Sequence, residues 1–178
     1  MQKIRTFLWF NDDLEEAMKF YVSVFKNSKM GDLMRGPDGK VMGGTFVLEG
    51  QEFMGLNGGP QYKFTEAISL FVDCKDQKEV DELWAKLTAN GGEESQCGWL
   101  KDKFGLSWQI IPSALPELLG DKDPARAKRA LEAMLTMSKI DIAALKRAAD
   151  GAYASVTDRG TARTFKKRPA SRRASSLC

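Results

Sequence analysis

The chain contains no histidine among its 178 residues, and this restricts the chemistry it can perform. Imidazole is the commonest general base near neutral pH and the commonest protein ligand of transition metals. Ser-His-Asp and Cys-His catalytic arrangements are therefore excluded, as is any zinc site that uses histidine. The three cysteines, Cys74, Cys97 and Cys178, are too few for a four-cysteine zinc site. We expect no bound metal and no cofactor, and the residues leave open whether the protein is an enzyme.

Composition is ordinary for a globular protein of one domain, with 43% apolar and 29% charged residues. No apolar run approaches the roughly 20 residues of a membrane span. Acidic residues follow the first short apolar run at once, which does not fit a secretory signal. An odd number of widely spaced cysteines is typical of a reducing compartment. We therefore expect a cytoplasmic protein that makes no contact with membranes.

The first unit of the chain, residues 3–59, has the pattern of a strand, a helix and three strands. The aromatic and β-branched segment 3–10 predicts the first strand. Asp13 is predicted to cap a helix, because apolar residues recur after it at helical spacing. That apolar stripe is Leu14, Ala17, Met18, Tyr21, Val22 and Phe25. The later strands are predicted at 29–35, 40–49 and 52–57.

A second unit, residues 66–112, repeats this pattern. An apolar strand at 66–74 precedes a helix that Asp76 is predicted to cap. Further strands are predicted near 95–100 and 106–111, joined by a turn at Asp102–Gly105. The sequence therefore predicts two βαβββ units in tandem.

Two helices are predicted within 124–150, beginning at Asp123-Pro124 and at Ser138-x-x-Asp141. This hairpin either covers the domain or packs on a partner subunit through its apolar residues, which are Leu131, Met134, Leu135, Ile142 and Leu145. Residues 1–150 form the predicted domain. The basic tail 151–178, with seven Lys or Arg and one Asp after residue 156, is predicted to be disordered. Contact of the tail with nucleic acid, or a regulatory site near Ser175, is an alternative to a solvated tail.

Three stretches carry a resemblance to a known family. They are "LWFNDDLEEAMKFYVSVFKNSKM", "FMGLNGGPQYKFTEAISLFVDCKDQKEVDELW" and "CGWLKDKFGLSWQIIPSALPELLGDKDPARAKRALEAML". They resemble the PhnB-like branch of the vicinal oxygen chelate superfamily, which includes glyoxalase I, bleomycin-resistance proteins and extradiol dioxygenases. The branch often carries the label 3-demethylubiquinone-9 3-methyltransferase. The resemblance implies an α+β fold in which tandem βαβββ units form a cupped mixed sheet, with a C-terminal helical hairpin.

The resemblance also bears on metal binding. Relatives that use a metal take four ligands from two opening strands and two late strands. Those positions correspond here to Arg5, Ala67, a residue within Phe53–Gly55, and Gln109. A guanidinium repels a cation, Ala offers no donor atom, and one amide oxygen is a weak lone ligand. We expect the metal site of the superfamily to be lost.

An aromatic cavity inside the cup would remain. Since side chains alternate along a strand, an inward Arg5 implies that Phe7 and Trp9 also face inward. The predicted ligand-binding residues are Arg5, Phe7, Trp9, Asn57, Ser69, Phe71, Trp99 and Gln109. In the alternative, the aromatic residues only fill the cup, Arg5 and Gln109 bond each other, and Asn57 and Trp99 are structural.

The function that we expect is binding of a small organic molecule without a metal. One alternative is an enzyme, either the labelled methyltransferase or another activity of the superfamily. Methyltransferases usually hold their donor on a Gly-rich loop that opens a helix, and Gly43-Gly44 and Gly58-Gly59 lie in strand and linker regions instead. A second alternative is a structural or interaction module. Homodimerisation is expected, because relatives pair subunits or modules to bury the apolar faces of their sheets.

Overall fold

The computed structural model describes residues 2–151, and the predictions for the basic tail concern residues outside that range. The first unit consists of β1 Thr6–Phe10, α1 Leu14–Val24, β2 Lys29–Arg35, β3 Val41–Leu48 and β4 Gln51–Asn57. The second unit consists of β5 Ser69–Cys74, α2 Gln77–Leu87, β6 Glu93–Glu94, β7 Trp99–Lys101 and β8 Ser107–Pro112. The closing helices are α3 Ala114–Leu119, α4 Pro124–Met134 and α5 Ile142–Ala149. The predicted tandem βαβββ units are confirmed.

Each unit forms a four-stranded mixed sheet with the same topology. The strand order is β1-β4-β3-β2 in the first sheet and β5-β8-β7-β6 in the second. The opening strand of each unit runs parallel to its last strand, and the other pairs are antiparallel. The opening strands β1 and β5 therefore lie at a sheet edge.

The two units share one hydrophobic core. Helix α1 buries Leu14, Ala17, Met18, Tyr21 and Val24, so the predicted stripe packs inward. The first sheet contributes Leu8, Phe10 and Phe46 to this core, and the second contributes Leu100, Trp108 and Ile110. We call the side of each sheet that packs on this core the inner face, and the opposite side the outer face.

A buried carboxylate joins the two units across this core. Asp102 is 2% exposed and accepts hydrogen bonds from the Tyr21 hydroxyl and the Trp108 indole nitrogen, each at 2.8 Å. The backbone N–H groups of Phe104 and Leu106 donate to its other oxygen. Burial raises the pKa of the Asp102 carboxyl, although these four hydrogen bonds act in the opposite direction. Because Tyr21 lies on α1, its hydrogen bond to Asp102 links the turn of the second unit to the helix of the first unit.

The C-terminal helices cover one end of the second outer face. Ile111 on β8 packs with Leu115, Ile140 and Leu145 in a second apolar cluster. The N–H groups of Cys97 and Gly98 donate to carbonyl oxygens in the link between α4 and α5. The hairpin therefore covers its own domain, as one of the two alternatives predicts. Leu131 on α4 and Leu135, directly after its end, stay about 40% exposed, whereas Leu145 is fully buried.

Local details differ from the sequence prediction. Of the strand predicted near 95–100, only Trp99 and Leu100 lie in a strand, β7, and the short β6 comes before it. Cys97 and Gly98 have φ angles of 58° and 86°, and their N–H groups donate to the hairpin instead of a neighbouring strand. Helix α3 was not predicted. Asp76 caps α2 as predicted, but the side chain of Asp13 makes no capping bond.

Within residues 2–151, no helix has both the length and the hydropathy needed to cross a membrane.

Candidate functional site

The first outer face presents apolar side chains to solvent. Alternation along β1 buries Leu8 and Phe10 and leaves Phe7 54% exposed beside a half-buried Trp9. In the strand register Phe7 lies opposite Met54 and Trp9 opposite Leu56. We call this surface, with Met34 from β2, the first apolar face: Phe7, Trp9, Met34, Met54 and Leu56. Met34, Met54 and Leu56 were not among the predicted ligand-binding residues, although the alternation of β4 relative to Phe53 indicates that Met54 and Leu56 lie on this side.

Arg5 lies at the end of the first apolar face and forms an ion pair with Glu52. Its guanidinium is 3.6 Å from the Glu52 carboxylate, and about one third of each side chain is exposed. Arg5 and Gln109 are thus not paired with each other, contrary to the alternative stated above. The pair is a surface ion pair and contributes little to stability.

Trp9 is held in place by its neighbours. Its indole nitrogen donates a hydrogen bond to the Gly59 carbonyl at 2.9 Å. The edge of Tyr62 approaches the indole ring with centroids 5.0 Å apart. A β-carbon on Gly58 would lie 2.2 Å from the indole ring, so only glycine fits beneath Trp9.

This close approach predicts the effect of Gly58→Ala. The added methyl group must displace the indole, which breaks the bond to Gly59. We expect a loss of about 1–3 kcal/mol in the free energy of unfolding, measured by urea denaturation, together with a shift in tryptophan fluorescence. Gly120→Ala is the control, because a β-carbon there would approach only a carbonyl oxygen at 3.2 Å. Equal effects of the two substitutions would contradict the packing described.

The second outer face combines aromatic and polar groups. Phe71 on β5 is 55% exposed and lies opposite Gln109 on β8, which in turn lies opposite Trp99 on β7. The Gln109 amide nitrogen donates to the Ser69 hydroxyl at 2.8 Å. Within residues 2–151 the Gln109 carbonyl oxygen accepts no hydrogen bond. We call these residues the second polar-aromatic face: Ser69, Phe71, Trp99 and Gln109.

Asn57, a predicted pocket residue, uses both of its polar atoms inside the fold. Its carbonyl oxygen accepts from the N–H of Leu14 at 3.0 Å, and its nitrogen donates to the Val41 carbonyl. Asn57 therefore satisfies a backbone N–H at the start of α1, where the Asp13 side chain makes no capping bond. This contact joins β4, α1 and β3.

A cleft of about 940 Å³ runs along the free edge of β5. Its apolar floor includes Phe25, Phe53 and Trp108. Of the eight predicted ligand-binding residues, Ser69 and Phe71 line it, while β1 contributes Thr6. Apart from Asn57, which is bonded inside the fold, the predicted residues thus lie in two groups, one on each outer face.

The positions that carry metal ligands in related proteins do not suit a cation here. Arg5 is positively charged and ion-paired, Ala67 has no donor atom, and the Gln109 amide is already bonded to Ser69. Within the part of the chain that the structure describes, no three His, Cys, Asp or Glu side chains are grouped so that they could hold a metal ion.

Two four-stranded mixed sheets with tandem βαβββ topology define the glyoxalase/bleomycin-resistance-like fold. The profile of the 3-demethylubiquinone-9 3-methyltransferase family matches residues 2–111, so the chain belongs to this PhnB-like family. The PhnB protein of Bacillus cereus is 37% identical, with a TM-score of 0.59 over 63% of this chain and 100% of its own. A protein of Pseudomonas aeruginosa is 17% identical, with a TM-score of 0.51 over 61% and 95% of the two chains. No curated protein is significantly similar to this chain.

The family's description does not establish methyl transfer in this protein. Gly43 and Gly44 lie within β3, and Gly58 and Gly59 follow β4, so neither pair opens a helix. A donor-binding glycine loop of the usual kind would need to open one. The methyltransferase description is therefore only the name of the family.

Proposed function

We propose that this protein binds a small organic molecule without a metal, at the outer faces of its sheets, and that it acts as a cytoplasmic homodimer. The observation that carries the proposal is the exposure of Phe7 and Phe71, each more than half exposed on a regular strand. Large aromatic side chains grouped beside unpaired polar atoms are typical of ligand sites and interfaces.

A second copy of the chain would complete the site. The two outer faces lie on sides of the sheets opposite the shared core, so one chain does not close a cavity over them. Under twofold symmetry, the first apolar face of one subunit can lie opposite the second polar-aromatic face of the other. The ligand would then lie between Phe7 and Trp9 on one side and Phe71 and Gln109 on the other.

The polar groups favour a planar ligand with one hydrogen-bond donor. The free carbonyl oxygen of Gln109 is the acceptor that such a ligand would meet between Phe71 and Trp99. The binding role requires no catalytic acid or base, which agrees with a chain that lacks histidine.

Titration with 2-naphthol tests this role. We expect saturable quenching of tryptophan fluorescence, because Trp9 and Trp99 lie at the outer faces while Trp84 and Trp108 are buried. Gln109→Ala should weaken binding about fivefold to tenfold, the effect of losing one hydrogen bond. The exposed Gln96→Ala is the matched control. Absence of saturable quenching, or equal effects of both variants, would contradict the proposed site.

A further inference from the structure

A second, smaller cavity lies at one end of the second outer face. Its volume is about 170 Å³, room for roughly five water molecules or a small polar group. Its walls include Glu66, Glu93, Trp99, Lys101 and Ser107. Since Trp99 also belongs to the second polar-aromatic face, the cavity is continuous with the candidate ligand surface.

Ser107 is the feature of this cavity that points to a ligand. The residue is 1% exposed, and its hydroxyl has no hydrogen-bond partner within residues 2–151. Along β8 it alternates with Trp108, which faces the core, so its side chain is directed to the outer face, as is that of Gln109. A buried hydroxyl without a partner loses its hydration with no compensation. A bound polar group would supply the missing hydrogen bond.

The charges around the cavity favour a cation. Lys101 is ion-paired with Glu66, and that bond lowers the pKa of Glu66. Glu94 accepts a hydrogen bond from the Trp84 indole at 2.8 Å and lies opposite the buried Leu100, so its carboxylate is on the inner side of the sheet. The Glu93 carboxylate forms no ion pair or hydrogen bond with the described residues. Glu93 lies opposite Lys101 and adds to the effect of Glu66 in raising the pKa of Lys101, so two carboxylates on the outer side are balanced by one ammonium group. The Trp99 ring offers a further surface on which cations bind favourably.

We propose that this cavity binds the ammonium group of a small organic amine. An ammonium N–H donates to the Ser107 hydroxyl oxygen, and Glu93 balances its charge. The apolar part of the amine lies on Trp99 and extends toward Phe71. This placement rests on the proposed function, and it assigns the ligand to the class of amphipathic amines.

The experiment compares 2-phenylethylammonium chloride with 2-phenylethanol, which has the same ring and chain but no charge. Binding of each to the full-length protein at pH 7 is measured by calorimetry, and the indole N–H signal of Trp99 is followed by NMR. We expect the ammonium compound to bind at least tenfold more tightly and to shift the Trp99 signal.

Two variants test the named contacts. Ser107→Ala should weaken binding of the ammonium compound about fivefold, because it removes the oxygen to which the ammonium group donates. It should fold normally, with an unchanged or higher melting temperature, because it removes a hydroxyl that has no partner. Glu93→Gln should reduce the preference for the cation, and Ser113→Ala, at an exposed serine with no capping bond, is the control.

Equal binding of the two compounds would overturn the amine assignment while leaving a ligand site on the outer face. Binding of neither compound would also overturn it, and the 2-naphthol titration would then decide separately whether the proposed function fails. An ammonium preference that Ser107→Ala leaves intact would contradict the contact with Ser107.

Discussion

Asp102→Ala should lower the free energy of unfolding by about 3–5 kcal/mol, because it removes a buried acceptor shared by the two units. The change leaves four hydrogen-bond donors without their acceptor, including the buried Tyr21 hydroxyl and the Trp108 indole. Chemical denaturation followed by circular dichroism gives the free energy. Asp32→Ala, at an exposed position on β2, should change it by less than about 0.5 kcal/mol.

A double-mutant cycle separates the contribution of the Tyr21–Asp102 hydrogen bond, which links the two units, from that of the hydrogen bonds within the Asp102 turn. Tyr21→Phe removes only the hydroxyl that α1 contributes, so its effect should largely disappear when Asp102 is already Ala. We expect a coupling energy of about 0.5–3 kcal/mol between the two positions. Additive effects, or a loss below about 1 kcal/mol for Asp102→Ala, would show that Asp102 does not fasten the second unit to the first.

Phe71→Glu should dissociate the proposed homodimer, with an increase of at least 100-fold in the dissociation constant. The phenylalanine is 55% exposed in one chain, and burying a carboxylate in its place at an apolar interface is costly. Size-exclusion chromatography over a range of concentrations measures the change. The fold should be retained, because the substituted side chain is directed to solvent in the monomer.

Leu131→Glu provides the comparison for this experiment. Leu131 is an exposed apolar residue on α4, 42% exposed, and lies on the closing hairpin instead of the outer faces of the sheets. We expect this variant to remain dimeric. If Leu131→Glu dissociates the dimer and Phe71→Glu does not, the subunits pair through the hairpin and the composite site is incorrect.

The fold could be predicted because local patterns and topology agree. The stripe from Leu14 to Phe25 has helical spacing, and the structure buries the same side of α1. The alternation in β1 separates Phe7 from Leu8 as expected. The PhnB-like resemblance rests on long stretches of residues, and it is the family profile over residues 2–111 that confirms it.

Other features depend on contacts between segments that are distant in the sequence. Asp102 has the sequence signature of a turn, and nothing local indicates that Tyr21, 81 residues earlier, donates to it. The side chain of Asn57 accepts a hydrogen bond at the start of α1 although it lies 43 residues away in the sequence. The local sequence therefore favoured the neighbouring Asp13 as the capping residue. Alternation predicted that Phe71 and Gln109 lie on the side of the sheet away from the helix, inside a cup, but it could not tell whether one chain encloses them. That depends on how the two sheets pack around the shared core.

Native mass spectrometry of the full-length protein, purified without added ligand, tests most directly whether two copies enclose a small molecule. Each chain has a mass of 19.8 kDa. We predict a species at twice that mass that carries additional small-molecule mass, which is lost on collisional activation before the subunits separate. Addition of 2-naphthol should shift the same dimer by a saturable number of ligands. A species of one bare chain, at micromolar concentration and unchanged by 2-naphthol, would contradict a ligand site formed between the outer faces of two subunits.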